Sequence, residues 1–152
     1  MTLVLAVAAL TVAGLMVGVE LCVAVITTPL LDRLPGNNGL LGRSDGARVL
    51  GRVMPFWYSS SIVLSVALGV AGWDQRGAGL LIAAAALFVL SIVMSIALLV
   101  PINNQAKTWT PAHAPSDWRE RLHRWDRFHY VRLAVIAAAF VLLATGAILS
   151  QS

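Results

Sequence analysis

Four long apolar runs constrain this chain more than any other feature. Between Leu3 and Leu31 the only charged residue is Glu20, Val53 to Trp73 and Ala78 to Val100 hold none, and Tyr130 to Leu149 hold only Arg132. About 20 apolar residues carry a helix across a bilayer core. Hydrocarbon offers the backbone no hydrogen bonds, so a spanning segment must satisfy its own, and runs of this length do so as helices. The prediction is an all-α integral membrane four-helix bundle, up-down-up-down, with residues 1–152 as one domain and spans at about 3–31, 53–73, 78–100 and 130–149. The opening MTLVLAVAAL has no basic n-region, and its apolar run exceeds the roughly 7–15 residues of a cleaved signal, so it is expected to remain as a helix.

Composition and charge support this placement. Charged residues make up only 12% of the chain, about half of what a water-facing surface needs. They are also sorted by loop. Four spans put the segments 32–52 and 101–132 on one side with ten basic residues, against Arg76 alone in the turn between the second and third spans. Excess Lys and Arg beside spans reports cytoplasmic loops, so both termini are expected outside and the two long loops inside. The net charge of +4 therefore reads as topology and attraction to anionic membrane lipids, and nucleic acid is excluded as a partner. Cys22 is the only cysteine, so one chain can form neither a disulfide nor a cysteine metal cluster.

The two long loops differ. LPGNNGLLG in the first is punctuated by Pro, Gly and Asn, with a short helix expected after Ser44. In the second, Asp117-Trp118-Arg119-Glu120 has a capping-box layout, and no Gly or Pro follows before Arg132. An interfacial helical extension is therefore expected to run into the fourth span. Pro101 is expected to end the third.

Three groups of residues could carry chemistry. Glu20, near the middle of the first span, costs about 2.5–3.5 kcal/mol there on insertion scales, so it should face the bundle interior as a functional carboxylate or as interhelical glue. Gly14 and Gly18 just before it would let a partner helix approach. The run from Asp117 to Arg132 places Trp118, Leu122, Trp125, His129 and Arg132 on one stripe at about 100° per residue. Asp126, three residues before His129, could orient the imidazole as a general base. The same run also reads as an amphipathic interfacial helix with arginines on lipid phosphates. Asn103 and Asn104 after Pro101, with Trp109, offer amide donors and a ring face on the same side, although Asn pairs after proline are also ordinary turn formers. A metal held by Glu20, His123 and His129 is disfavoured, because the two histidines stand about 120° apart on a helix. His113, between prolines, is assigned no role.

VPINNQAKTW followed by DWRERLHRWDRFHYVR, with a Glu in the first of four spans, resembles a membrane family of otherwise unassigned function that includes the fungal anthrone oxygenases. The resemblance covers the whole chain. It rests on Pro-x-Asn-Asn, Trp109 and the run from Arg124 to Arg132. It implies a cofactor-independent oxygenase that oxidises a small lipophilic aromatic molecule with O2 as co-substrate and no resident metal. It further implies His129 oriented by Asp126 as the base, Asn103 and Asn104 on the developing oxyanion, Trp109 and Trp125 on the rings, and Glu20 as cavity floor or second base. Arg132, ending the stripe, is a further ligand candidate. The expected location is a bacterial plasma membrane. The contrasting reading is a non-catalytic membrane protein whose basic loops bind anionic lipid or a partner. A transporter would show broken helices or internal repeats. The enzyme reading requires Glu20, Asn103, Asn104 and His129 to converge on one pocket.

Overall fold

A computed structural model describes residues 2–150. Four long helices dominate: α1 (Leu3–Asp32), α2 (Asn38–Ala71), α3 (Ala78–Ala106) and α4 (Trp118–Leu149), and each is long and apolar enough to cross a membrane. Among the described residues there is no strand. The chain is an integral membrane protein built as a helical bundle, in which α1 packs on α2 and α4, and α3 on α2 and α4.

The helices outrun the apolar spans. The 34 residues of α2 extend about 51 Å at the α-helical rise, well beyond a hydrocarbon core of about 30 Å. The segment read as a punctuated loop is helical from Asn38, so Arg43, Arg48 and Arg52 lie on the same helix as the second span. Helix α4 likewise runs unbroken from Trp118, as expected for the extension. Asp117 occupies its N-cap, but no side-chain capping bond forms, and its carboxylate accepts from Arg121 Nε instead (2.9 Å). The projecting ends of α2 and α4 meet the end of α3 in a small cluster of Leu40, Ala106, Trp109 and Leu122.

Lipid supplies little hydrophobic drive between helices, so close packing and interhelical hydrogen bonds hold such a bundle. The core accordingly mixes small residues (Ala9, Ala13, Ala84, Ala139) with Met16, Leu81, Phe88 and Leu143. Gly14 meets the Phe140 ring, whereas Gly18 is open, so only the first half of the expected glycine pair receives a helix. A tight junction joins the turn after α2 to the end of α4. Gly77, at φ +102°, starts α3, and a Cβ there would lie 2.6 Å from the Gly146 carbonyl oxygen.

Pro101 does not end α3. Helices α1 and α3 each widen into a π turn, Val23–Thr27 and Ser95–Leu99, and in each case a proline follows two residues later, Pro29 and Pro101. A proline returns no N–H to the carbonyl four residues back and its ring presses on that carbonyl. The wider turn makes room for the ring and reroutes the hydrogen bonds, so the helix continues. Tyr130 Oη donates to the Ala24 carbonyl within the first of these turns (2.9 Å). Both turns lie beside the polar residues described below.

Gly77→Ala must combine a positive φ with a backbone clash. It is expected to destabilise the protein by more than about 1 kcal/mol. Unfolding in detergent would read this, and an unchanged transition would contradict the crossing described here.

Candidate functional site

The site is built around the carboxylate in α1. Glu20 is 4% exposed, and its two oxygens are taken by different helices. Tyr58 Oη of α2 donates to Oε1 (2.7 Å), and Arg132 of α4 donates from one terminal nitrogen to Oε2 (2.6 Å). The other terminal nitrogen of Arg132 donates to Ser95 Oγ, the first residue of the π turn in α3 (2.8 Å). One carboxylate and one guanidinium thus reach all four helices. An apolar bundle tolerates such charges only when they are paired and hydrogen-bonded.

His129 completes the network from behind. Its Nε2 lies 3.1 Å from the Glu20 backbone carbonyl, and its Nδ1 lies 3.0 Å from Arg132 and 3.4 Å from Glu20 Oε2. A carbonyl can only accept and a guanidinium can only donate, so Nε2 carries the proton and Nδ1 presents its lone pair to Arg132. The imidazole is neutral in this arrangement. The Trp125 ring stacks on it with centroids 4.8 Å apart and planes 13° from parallel. Trp125 Nε1 is buried without a hydrogen-bond partner, so stacking rather than the indole N–H sets the ring.

Two expected placements are corrected. Asp126 does not orient His129. It pairs with Arg43 of α2 (2.6 Å), which also donates to Thr28 of α1 (2.7 Å), and its other oxygen faces exposed His123 at 3.8 Å. Three-residue spacing brought Asp126 within reach of His129, but a buried arginine is the stronger partner for a carboxylate. Trp109 is buried in the small cluster with Leu40 and Leu122 and has no place in the cavity. The metal set of Glu20, His123 and His129 does not assemble, because His123 is exposed beside Asp126. The ligand atoms of Asp32, His123 and Asp126 lie within 4.8 Å of one another, but Arg43 already holds Asp126.

A cavity of about 400 Å³ lies against this network, within the range of small-molecule sites. Its inner wall carries Glu20, Tyr58, Ser95, Arg132 and Trp125, and farther along α3 come Asn103, Asn104 and Lys107. Met54, Ile92 and Val23 supply apolar wall around them. Exposed Pro55, Ser59, Ile96 and Val100 also line it, so it opens sideways between α2 and α3. Of the four residues required to converge, Glu20, Asn103 and Asn104 do so, while His129 stands outside the lining at 1% exposure.

Tyr58 and Ser95 escaped the sequence reading, although a tyrosine hydroxyl amid a span needs a partner and could have been paired with Glu20 on that ground.

Residues 48–142 match the anthrone oxygenase family. The chain belongs to that family. The match takes in Tyr58, Ser95, Asn103, Asn104, Lys107, Trp125, His129 and Arg132, but begins after Glu20. No curated protein and no solved structure matches the chain.

Removing one member of a buried ion pair strands the other charge, at about 3–5 kcal/mol. Arg132→Met should therefore be strongly destabilising, and Glu20→Gln introduced beside it should restore much of the loss. Additive effects in that double-mutant cycle would contradict the pairing.

Proposed function

We propose that this protein is a membrane-embedded oxygenase that oxidises a small lipophilic aromatic molecule of the anthrone type with O2, needing no metal or organic cofactor. The observation that supports it most is the presence of Glu20, Tyr58 and Arg132 on the wall of a cavity open between α2 and α3, in a chain of the anthrone oxygenase family. A lipophilic substrate would arrive through the bilayer by that side opening, with both long basic loops on the cytoplasmic side of a bacterial plasma membrane.

In this reading Glu20 takes the proton from the methylene carbon flanked by two aryl rings. The neutral, walled-off His129 serves as a positioning residue that aligns Arg132 and the Glu20 backbone. Asn103 lies about 12 Å along α3 from Ser95, counting eight residues at the helical rise, and would hold the oxyanion that develops across the ring. Trp125 offers a face to the rings. The electron-rich anion passes one electron to O2, giving a carbon radical and superoxide, which combine to a peroxide. Protonation of the distal oxygen, loss of the second methylene proton and cleavage of the O–O bond leave a carbonyl and water. Four electrons leave the carbon, and the four-electron reduction of O2 supplies the quinone oxygen and that water.

Both carboxylate oxygens of Glu20 are engaged, which also favours a second reading in which the network is only a pin between helices and the basic ends bind anionic lipid or a partner. Quinone formation and O2 uptake in membranes given an anthrone separate the two. Glu20→Gln, which still accepts from Tyr58 but strands Arg132, is expected to lower the rate per folded molecule by about 10²–10⁴-fold, and Glu20→Asp, which keeps the charge, by less. Full activity in the glutamine variant would remove Glu20 as base.

A further inference from the structure

Resting on that reading, we infer that the substrate carries a carboxylate remote from its reacting carbon, and that Lys107 at the outer end of the cavity selects for it. Lys107 follows Ser95 by twelve residues, about 18 Å along α3, so the cavity has two polar ends separated by apolar wall. The inner end is paired in charge, although Arg132 Nε and Trp125 Nε1 are buried there without hydrogen-bond partners. The terminal nitrogens of Arg132 are spent on Glu20 and Ser95, and the Glu20 oxygens on Arg132 and Tyr58. The outer end is not.

Lys107 Nζ donates to Asn104 Oδ1 (3.2 Å), a neutral acceptor, and among the described residues no ion pair engages it. An ammonium has three N–H donors, and an Asn104 that turns its oxygen to the lysine leaves its NH2 group free as well. The outer end is therefore rich in donors, and a carboxylate is the group that it suits.

Helix α2 meets Lys107 at both its backbone and its side chain. Arg48 of α2 clamps its backbone carbonyl with two bonds, Nε at 3.0 Å and a terminal nitrogen at 2.6 Å. Gly51, one turn farther along α2, gives the ammonium its space, since a Cβ there would stand 3.1 Å from Nζ. The carboxylate nearest in chemistry, Asp45, is already paired with Arg48. A lysine held over a ligand cavity without a protein counter-ion is the arrangement that a substrate acid would complete.

Equilibrium binding tests this without turnover. Anthracene-2-carboxylate and 2-methylanthracene are compared by fluorescence on the full chain in nanodiscs of phosphatidylcholine, corrected for partition into empty discs. The acid is expected to bind about tenfold tighter or more, a charge-assisted hydrogen bond's contribution. Lys107→Met should abolish that preference while 2-methylanthracene binds as before, and Lys107→Arg should retain it. Binding of neither probe, equal binding of both, or equal loss of both in Lys107→Met would overturn the inference. Displacement by laurate as effective as by the aromatic acid would reassign the outer end to a fatty acid and overturn it too. Selective binding without any quinone formation would contradict the oxygenase reading alone. Quinone formation without selectivity would contradict this inference alone.

Discussion

A carboxylate placed in an apolar bundle must be matched, and the middle of this protein is organised by that requirement. Glu20 cannot keep a charge in hydrocarbon unless each oxygen finds a donor, and the donors come from α2 and α4 because α1 has none nearby. Arg132 carries the same demand in the other sign, and satisfying it brings in Ser95 of α3. His129 then fits where its two nitrogens can face a pure acceptor and a pure donor. The network thereby holds four helices at one level, in a setting where apolar contact alone discriminates poorly between helix faces.

The cavity follows from the backbone around that level. The cavity opens between these two helices beside Pro55 in α2 and the π turn before Pro101 in α3, whereas nearer the Gly72–Gly77 turn the same helices touch through Gly69, Leu81 and Ile82. The hairpin is therefore closed at the turn, joined again where Arg48 meets the Lys107 carbonyl, and parted between. The charged network forms the inner wall of the parted region, and Asn103, Asn104 and Lys107 its outer end. Packing strength and chemistry are separated along the same pair of helices.

The spans were legible because composition alone decides them, and Glu20 because one charge in a long apolar run has few explanations. The α4 stripe was also legible, since Leu122, His129 and Arg132 are buried at the helical spacing that sorts them. Partners were less so. Periodicity shows which residues of one helix share a face but not which residue of another helix arrives there, so Asp126 was joined to its neighbour in sequence rather than to Arg43, 83 residues away. Tyr58 and Ser95 sit among ordinary span residues and became visible only when the helices were assembled. Lys107 counted merely as one loop charge until Gly51 and Arg48 fixed its place. Pro101 misled because its local rule ends a helix, while a wider turn offers a second way to accommodate the ring.

Photolabelling tests most directly the claim that the parted hairpin is a ligand site. An anthracene carrying a diazirine is irradiated with the protein in membranes, and the modified residues are located by mass spectrometry. The account predicts labels within Met54–Ser59 and Ile92–Val100 that disappear with excess unlabelled anthracene. Labels spread evenly over lipid-facing residues of all helices, such as Val63, Val131 and Val141, and insensitive to competitor, would contradict it.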